Sequence, residues 1–156
     1  MVIDDSTLKS GRLLLVDAPD AVQFLARSLL QSGYVNVSVA TDGCHAVDLF
    51  RELQPDLVIL DVNVPGNDSL RVIDEIRLGM AKDDFCPILA LSADGSQPLR
   101  RRVLAGGAND FVTKPIDFVE FMLRIRNLLE VRYYINRLLD DKRALETRLR
   151  KALASA

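Results

Sequence analysis

Four polar residues stand where short apolar segments end, and their types suit phosphoryl chemistry. They are Asp17, Asp61, Ser92 and Lys114, one for each of four apolar segments. Carboxylates from separate segments can share a hard cation such as Mg²⁺, which prefers oxygen ligands. An aspartate can also act as a nucleophile and become an aspartyl phosphate, while a lysine and a hydroxyl group bind the charged phosphoryl oxygens. Any one of these residues is commonly only a polar strand end, but the four together indicate a site.

The segments that must position these residues alternate between two patterns. Short apolar runs predict buried strands, and they cover residues 12–16, 35–39, 57–60, 87–91 and 109–113. Apolar residues at helical spacing predict helices, and they cover residues 19–31, 42–53, 69–80, 97–105 and 117–153. Five alternations with short links predict a doubly wound α/β fold around a parallel five-stranded sheet. The carboxyl ends of parallel strands meet at one edge of such a sheet, where ligands bind.

Local signals predict how several segments begin and end. Pro65-Gly66 indicates a turn after Asp61. Ser69 is expected to cap the helix that follows this turn. Residues 1–11 are mostly polar, and we expect them to be frayed.

Length, composition and charge limit the classes of protein that the chain can be. Its 156 residues suffice for one domain with a substantial core. No run of about 18 apolar residues predicts a membrane span, and the first residues show no signal-peptide pattern. Cys44 and Cys86 have no metal or disulfide spacing, so we expect buried thiols in a cytoplasmic protein. Residues 117–156 carry nine basic and six acidic residues, an excess too small to predict direct nucleic-acid binding.

Four segments resemble the receiver domain of bacterial two-component response regulators. They are residues 14–17 (LLVD), 55–66 (PDLVILDVNVPG), 90–93 (ALSA) and 111–115 (FVTKP). The resemblance covers about residues 12–129, and it implies a flavodoxin-like sheet with strand order 2-1-3-4-5. It also implies a regulatory domain rather than an enzyme. Such a domain receives a phosphoryl group from a histidine kinase or a phosphotransfer protein, and it could catalyse its own phosphorylation and dephosphorylation.

The resemblance implies a role for each residue of the phosphorylation site. Asp61 would be the phosphoacceptor. Asp17, Asp61 and the backbone carbonyl of Asn63 would hold Mg²⁺. Lys114 would pair with a phosphoryl oxygen, and its peptide bond to Pro115 would be cis, which X-Pro bonds permit at low cost.

Two further residues would report the state of that site to the surface. Ser92 would bond the phosphoryl group and move toward it, and Phe111 would change rotamer with Ser92. Phosphorylation would then shift the population between two arrangements of the surface formed by strands four and five and the helices that follow them.

One residue departs from the family pattern and leaves a second interpretation open. The family usually has two successive acidic residues after strand one, but here Ala18 follows Asp17. Losing a carboxylate should weaken Mg²⁺ binding, and Pro19 restricts Asp20 from replacing it. The alternative is therefore a pseudo-receiver that acts as a dimerisation or docking module without phosphorylation. A phosphatase or other small α/β hydrolase is disfavoured, because no second acid–base residue accompanies Asp61.

The last predicted helix is longer than a receiver requires. We expect the receiver domain at residues 1–129 and a coiled-coil-like extension at residues 130–156. The extension continues a heptad pattern, formed by Leu128, Val131, Ile135, Leu138, Lys142, Leu145, Leu149 and Ala152. Pairing of residues 128–152 with a second copy would bury this stripe. Tyr134 and Leu139 flank the stripe and leave higher oligomers open, and a helix folded back on its own domain is the other possibility.

The extension is also expected to connect the receiver to a further domain. Residues 151–156 contain no helix-stop signal, so we expect an output domain after residue 156, linked through this helix. By family analogy alone, domains that synthesise or hydrolyse cyclic dinucleotides often follow such helices.

Overall fold

The computed structural model describes residues 3–63, 68–81 and 83–156, and it has a five-stranded parallel sheet at its centre. The strands are β1 (Arg12–Val16), β2 (Asn36–Ala40), β3 (Leu57–Asp61), β4 (Ile88–Ser92) and β5 (Asp110–Thr113). Their order in the sheet is β2-β1-β3-β4-β5, and each pair of neighbours is parallel. The predicted flavodoxin-like sheet and its strand order are therefore confirmed.

Helices follow each strand, and one short helix precedes the sheet. They are α1 (Asp5–Lys9), α2 (Pro19–Gln31), α3 (Gly43–Leu53), α4 (Ser69–Leu78), α5 (Gln97–Ala105) and α6 (Phe118–Ala154). The predicted cap of α4 was wrong by one residue: the carboxylate of Asp68 accepts a hydrogen bond from the Leu70 backbone, and Ser69 is the first helical residue. An aspartate is as good an N-cap as a serine. The turn predicted at Pro65-Gly66 lies outside the described residues.

Two apolar layers cover the faces of the sheet. Because successive side chains of a strand point to opposite faces, Leu14 and Val16 pack in one layer, while Leu13 and Leu15 pack in the other. Residues of β3 and β4 are buried on both faces, as expected for the central strands of a doubly wound sheet.

Residues 5–9 form the helix α1, so the fraying predicted for residues 1–11 was wrong for the part of that segment that the structure describes. Asp4 caps α1 by accepting a hydrogen bond from the Thr7 backbone. Ile3 and Leu8 are buried, and they belong to the same apolar layer as Leu129 of α6. Two apolar residues among polar neighbours are enough to anchor one short helix against the first third of α6.

Helix α6 is a single helix of 37 residues, about 55 Å long at 1.5 Å per residue. Phe121, Ile125 and Leu129 are buried against the sheet. From residue 141 onward every residue is exposed, so the helix does not fold back on its own domain. No helix in the described ranges is long and apolar enough to cross a membrane.

The two cysteines differ in environment. Cys86 is buried, and burial raises the pKa of its thiol to about 12, so it remains protonated at neutral pH. Cys44 is exposed on α3, which corrects the expectation that both thiols are buried. Cys44 lies on the outer side of α3, whereas Ala46 and Val47 lie on its buried side.

Candidate functional site

Three of the predicted site residues meet at the carboxyl edge of the sheet. Asp17 directly follows β1, Asp61 ends the neighbouring β3, and Lys114 directly follows β5. The Lys114 Nζ atom lies 2.7 Å from Asp17 Oδ2 and 2.6 Å from Asp61 Oδ2. Residues 97 positions apart in the chain are thus in direct contact.

The backbone fixes the second oxygen of each carboxylate. The Ala18 N–H donates to Asp17 Oδ1 at 2.7 Å, and the Asn63 N–H donates to Asp61 Oδ1 at 2.7 Å. Each carboxylate therefore has one oxygen held by its own turn and the other held by Lys114. The side chains of Asp17 and Asp61 are only 3% and 8% exposed, so their orientation is set before any ligand arrives.

Lys114 supplies one positive charge to two buried carboxylates. Burial by itself lowers the pKa of Lys114, but its hydrogen bonds to Asp17 and Asp61 and the charges of both outweigh this, so the pKa is raised overall. Lys114 is therefore protonated at neutral pH, and the three groups together carry a net negative charge that attracts cations. The Lys114–Pro115 peptide bond is cis, as the resemblance implied.

Ser92 and Phe111 lie in the two strands that follow β3 in the sheet: Ser92 ends β4, the neighbour of β3, and Phe111 lies in β5, the neighbour of β4. Ser92 is completely buried at the end of β4, and its hydroxyl oxygen accepts a hydrogen bond of 3.0 Å from the Asp94 backbone. Phe111 in β5 is also buried, and the guanidinium of Arg100 lies 5.5 Å from the centre of its ring. Nothing in the sequence indicated this cation–π contact.

Ala18 occupies the N-cap position of α2 and provides no side-chain cap. Asp20 lies in the first turn of that helix and is exposed. Within the described part of the chain, no three Asp, Glu, His or Cys side chains are grouped so that they could hold a metal ion. Asp20 therefore does not join Asp17 and Asp61 to replace the missing carboxylate.

The remaining donors still suit a hard cation. Mg²⁺ usually takes one or two protein carboxylates and completes its shell with water and phosphate oxygens. Asp17 and Asp61 meet this requirement because they are two buried carboxylates on neighbouring strands. Asn63 stands two residues after Asp61, and its backbone N–H donates a hydrogen bond to Asp61 Oδ1.

Sequence reasoning missed a polar cluster at the opposite edge of the sheet. Arg132 of α6 contacts Asp56, which precedes β3, and Asp84, which precedes β4. Asn136 also contacts Asp84. The available signal was the presence of acidic residues shortly before two buried strands, Asp56 before β3 and Asp83-Asp84 before β4, together with a polar pair spaced four residues apart on the last helix.

Comparison with known sequences agrees with this geometry. The family model of the response regulator receiver domain matches residues 13–126. The response regulator MprA of Mycobacterium sp. (strain KMS) is 41% identical over 119 residues, which are 76% of this chain and 50% of that protein. The chain spans about half the length of the curated relatives it matches.

Solved structures give the same family. The receiver domain of sensor histidine kinase PA1611 from Pseudomonas aeruginosa PAO1, which has a magnesium ion coordinated in its active site cleft, is 27% identical with a TM-score of 0.67. The match covers 78% of this chain and 98% of that one. The BeF3-activated receiver domain of Klebsiella pneumoniae RstA is 25% identical with a TM-score of 0.66, covering 76% and 97% of the two chains. The chain therefore belongs to the response regulator receiver domain family of two-component systems.

Proposed function

We propose that the chain is a phosphorylation-dependent signalling switch and that Asp61 is its phosphoacceptor. The observation that carries this proposal is the contact of one protonated lysine, Lys114, with two buried carboxylates at the carboxyl edge of the sheet. An ordinary structural ion pair needs only one carboxylate. A second carboxylate within 3 Å of the same ammonium leaves excess negative charge at the site. Such a site suits the binding of a cation together with a phosphoryl group.

The reaction is a phosphoryl transfer from a histidine kinase or a phosphotransfer protein. A carboxylate oxygen of Asp61 forms a bond to phosphorus while the bond between phosphorus and the donor imidazole nitrogen breaks. The electron pair stays on that nitrogen, which takes up a proton. Lys114 offsets negative charge on the phosphoryl oxygens, and the Ser92 hydroxyl donates to one of them. The same residues would assist phosphorylation of Asp61 by small phosphodonors and hydrolysis of the aspartyl phosphate by water.

The donors that would hold Mg²⁺ are Asp17, Asp61 and the backbone carbonyl of Asn63. When bound, the ion supplies positive charge that offsets the developing charge on the phosphoryl oxygens. The absence of a carboxylate at Ala18 leaves two protein carboxylates for this role, so we expect a weakened but working site.

Phosphorylation would change the surface through Ser92 and Phe111. When Ser92 moves toward a phosphoryl oxygen, its hydroxyl group donates to that oxygen while the hydroxyl oxygen still accepts the hydrogen bond from the Asp94 backbone. That bond holds the start of the segment leading to α5. Movement of this segment changes the space beside Phe111, and Arg100 of α5 moves with it. The result is a population shift between two arrangements of β4, α5, β5 and the start of α6.

We also propose that the receiver comprises residues 1–129 and that residues 128–152 of α6 pair with a second copy. The apolar stripe of α6 faces away from the domain: Leu138, Leu145 and Leu149 are each at least 60% exposed. An isolated helical extension with such a stripe is marginal in water, and pairing would bury it. We further propose that α6 leads to an output domain in a cytoplasmic protein. The greater length of the matching relatives supports this.

The pseudo-receiver remains the second candidate because of a specific observation. Ala18 leaves the α2 N-cap without a side chain that could accept hydrogen bonds or bind a metal ion. In that case Lys114 would stay paired with both carboxylates, and the chain would act only through its dimer.

Binding of beryllofluoride, a phosphoryl mimic, tests the proposal against this alternative. Fluorine NMR of the protein with Mg²⁺ and beryllofluoride should show bound resonances, and these should disappear in Asp61→Asn. Asp48→Asn, a change of an exposed acid on α3, should leave them unchanged. Absence of bound resonances at millimolar Mg²⁺ in the unmodified protein would refute the switch and favour the pseudo-receiver.

A further inference from the structure

Arg132 of α6 occupies an unusual position at the amino edge of the sheet. Its side chain is only 13% exposed and lies between two acids, with Nε 2.7 Å from Asp56 Oδ1 and Nη1 2.9 Å from Asp84 Oδ1. The same Nη1 group donates to the Phe85 carbonyl. A guanidinium can make several such bonds at once because its donors form a rigid planar fork. We call these contacts the Arg132 clamp.

Asn136, one helical turn further along, extends the clamp. Its side-chain oxygen accepts from the Phe85 N–H at 3.0 Å, and its amide group donates to Asp84 Oδ1 at 3.0 Å. Arg143 continues along the same side and lies 4.0 Å from Asp83. Polar contacts therefore hold α6 against the domain as far as Arg143, well beyond Leu129, the last buried residue of the helix.

The clamp also reaches the first strand. The second oxygen of Asp56, Oδ2, accepts a hydrogen bond of 2.7 Å from the Arg12 backbone at the start of β1. Asp56 directly precedes β3, and Asp84 and Phe85 stand shortly before β4. One arginine thus joins α6 to the beginnings of three strands.

The position of these contacts links them to the site at the other edge. Strand β3 begins beside Asp56 and ends at Asp61, while β4 begins after Phe85 and ends at Ser92. Each strand is five residues long, or about 16 Å at 3.3 Å per residue. Every residue of both strands is buried, and packed elements of this kind can couple distant sites.

Burial of α6 does not require the clamp. Phe121, Ile125 and Leu129 already anchor the first part of the helix, and replacing a buried ion pair with apolar residues often leaves stability unchanged or higher. What the polar contacts add is a defined direction for the part of α6 that carries the exposed stripe.

We propose that Arg132 is a positioning residue that sets the direction of α6 relative to β3 and β4 and passes changes at Asp61 and Ser92 to that helix. This inference rests on the proposed phosphorylation switch for its second half only. Its first half, the fixed direction of α6, holds for the protein without any ligand.

The test is a distance distribution between two spin labels within one chain, measured by pulsed electron paramagnetic resonance. One label is attached to the exposed Cys44 on α3 and the other to Ala144→Cys on the exposed part of α6. Dilution with unlabelled protein suppresses distances between copies. Arg132→Ala is compared with Arg126→Ala, which removes an arginine on the same helix that pairs with Asp5 and Glu130 but not with the clamp.

Without ligand, the distribution should be narrow in the unmodified protein and in Arg126→Ala, and broad in Arg132→Ala. Beryllofluoride with Mg²⁺ should shift it in the first two proteins and not in Arg132→Ala, although fluorine NMR shows binding in all three. If Arg132→Ala fails to fold, Arg132→Lys and Asn136→Ala, which each keep part of the clamp, should give intermediate breadth and a reduced shift.

Equal breadth in Arg132→Ala and the unmodified protein would overturn the inference, as would an equal shift despite binding. Binding without any shift in the unmodified protein would also overturn it. Absence of beryllofluoride binding in the unmodified protein would instead refute the proposed function. The breadth of the distance distribution without ligand would then still test whether Arg132 fixes the direction of α6.

Discussion

Lys114 balances two carboxylates that the fold has already removed from water. Its replacement by methionine should leave Asp17 and Asp61 facing each other without a counter-charge. Breaking a buried pair costs several kcal/mol, but Lys114 is about a quarter exposed, so we expect Lys114→Met to lower the free energy of unfolding by about 2 kcal/mol. Urea unfolding measures this, with Lys151→Met on the exposed end of α6 as the control.

The sign of the pH dependence follows from the raised pKa of Lys114. A group whose pKa is higher in the folded state stabilises the protein fully below its ordinary pKa, here 10.5, and loses that contribution as the pH rises through the folded-state value. The difference between the unmodified protein and Lys114→Met should therefore be constant near neutral pH and shrink at strongly alkaline pH. A difference that grows there would contradict the assigned contacts.

Ala18 is the residue that limits metal binding in this account. Ala18→Asp should raise Mg²⁺ affinity by roughly 10- to 100-fold, the range found when supporting groups of metal sites are changed. Ala18→Asn is the matched control: as an N-cap of α2 it should stabilise the fold by about 1 kcal/mol, but it adds no charge and should leave Mg²⁺ affinity nearly unchanged. Isothermal titration calorimetry gives both affinities. Similar affinities for the two variants would contradict a missing carboxylate at this position.

The residues of the site were largely predictable, whereas their contacts were not. Asp17, Asp61 and Lys114 could be identified because each follows a strand, and parallel strands end at one edge. The sequence could not show that a single ammonium contacts both carboxylates, since this depends on the stagger of strands up to 97 positions apart. Nor could it show that Ser92 is bonded to the Asp94 backbone.

At the scale of elements, α1 shows how few residues are needed to order a chain terminus. Leu8 is buried in the same apolar layer as Leu129 of α6, so Leu8→Ala should lower the free energy of unfolding by roughly 2–4 kcal/mol. Thr7→Ala, at an exposed neighbouring position, should change it by less than about 0.5 kcal/mol. Urea unfolding measures both values. Equal effects would indicate that α1 does not contribute to the core.

Helix α6 presents two separate sides. The buried Phe121, Ile125 and Leu129 and the Arg132 clamp face the domain, while the stripe formed by Leu138, Leu145 and Leu149 faces solvent. At 100° per residue these sides are well separated around the helix. One chain can therefore hold its own domain and a second copy at the same time.

Substitution in the stripe should separate the two copies. Leu145→Asp should give a monomer in sedimentation velocity, since it places a charge in the seam. Ala144→Asp introduces the same residue on the other side of the helix and should leave the dimer intact. Lys142→Leu should lower the dimer dissociation constant by at least about tenfold, because burying a leucine contributes about 1.5–3 kcal/mol. A monomeric unmodified protein at high concentration would contradict the pairing.

The ends of helices and strands were predicted to within one or two residues where a proline or glycine marks the boundary. Pro19 and Gly106 mark the start of α2 and the end of α5 as expected. The predictions failed where a competing signal was present. Asp68 and Ser69 are both good caps, and the structure uses the first. The polar first residues concealed Ile3 and Leu8, whose burial depends on the distant Leu129 of α6.

For the whole molecule, the sheet separates two sites by the length of its strands. The carboxyl edge holds Asp17, Asp61 and Lys114, and the amino edge holds the Arg132 clamp. Strands β3 and β4 run from one to the other. Helix α6 starts near the carboxyl edge and passes the amino edge, so the proposed switch would have a direct structural connection from Asp61 to this helix.

Phosphorylation of Asp61 is the central claim, and intact mass spectrometry tests it most directly. The protein is incubated with acetyl phosphate and Mg²⁺, and its mass is compared with that of Asp61→Asn treated in the same way. We predict the addition of one phosphoryl group to the unmodified protein, dependent on Mg²⁺, and none to Asp61→Asn. An unmodified protein that gains no mass at millimolar Mg²⁺, or an Asp61→Asn variant that gains the same mass, would contradict the account.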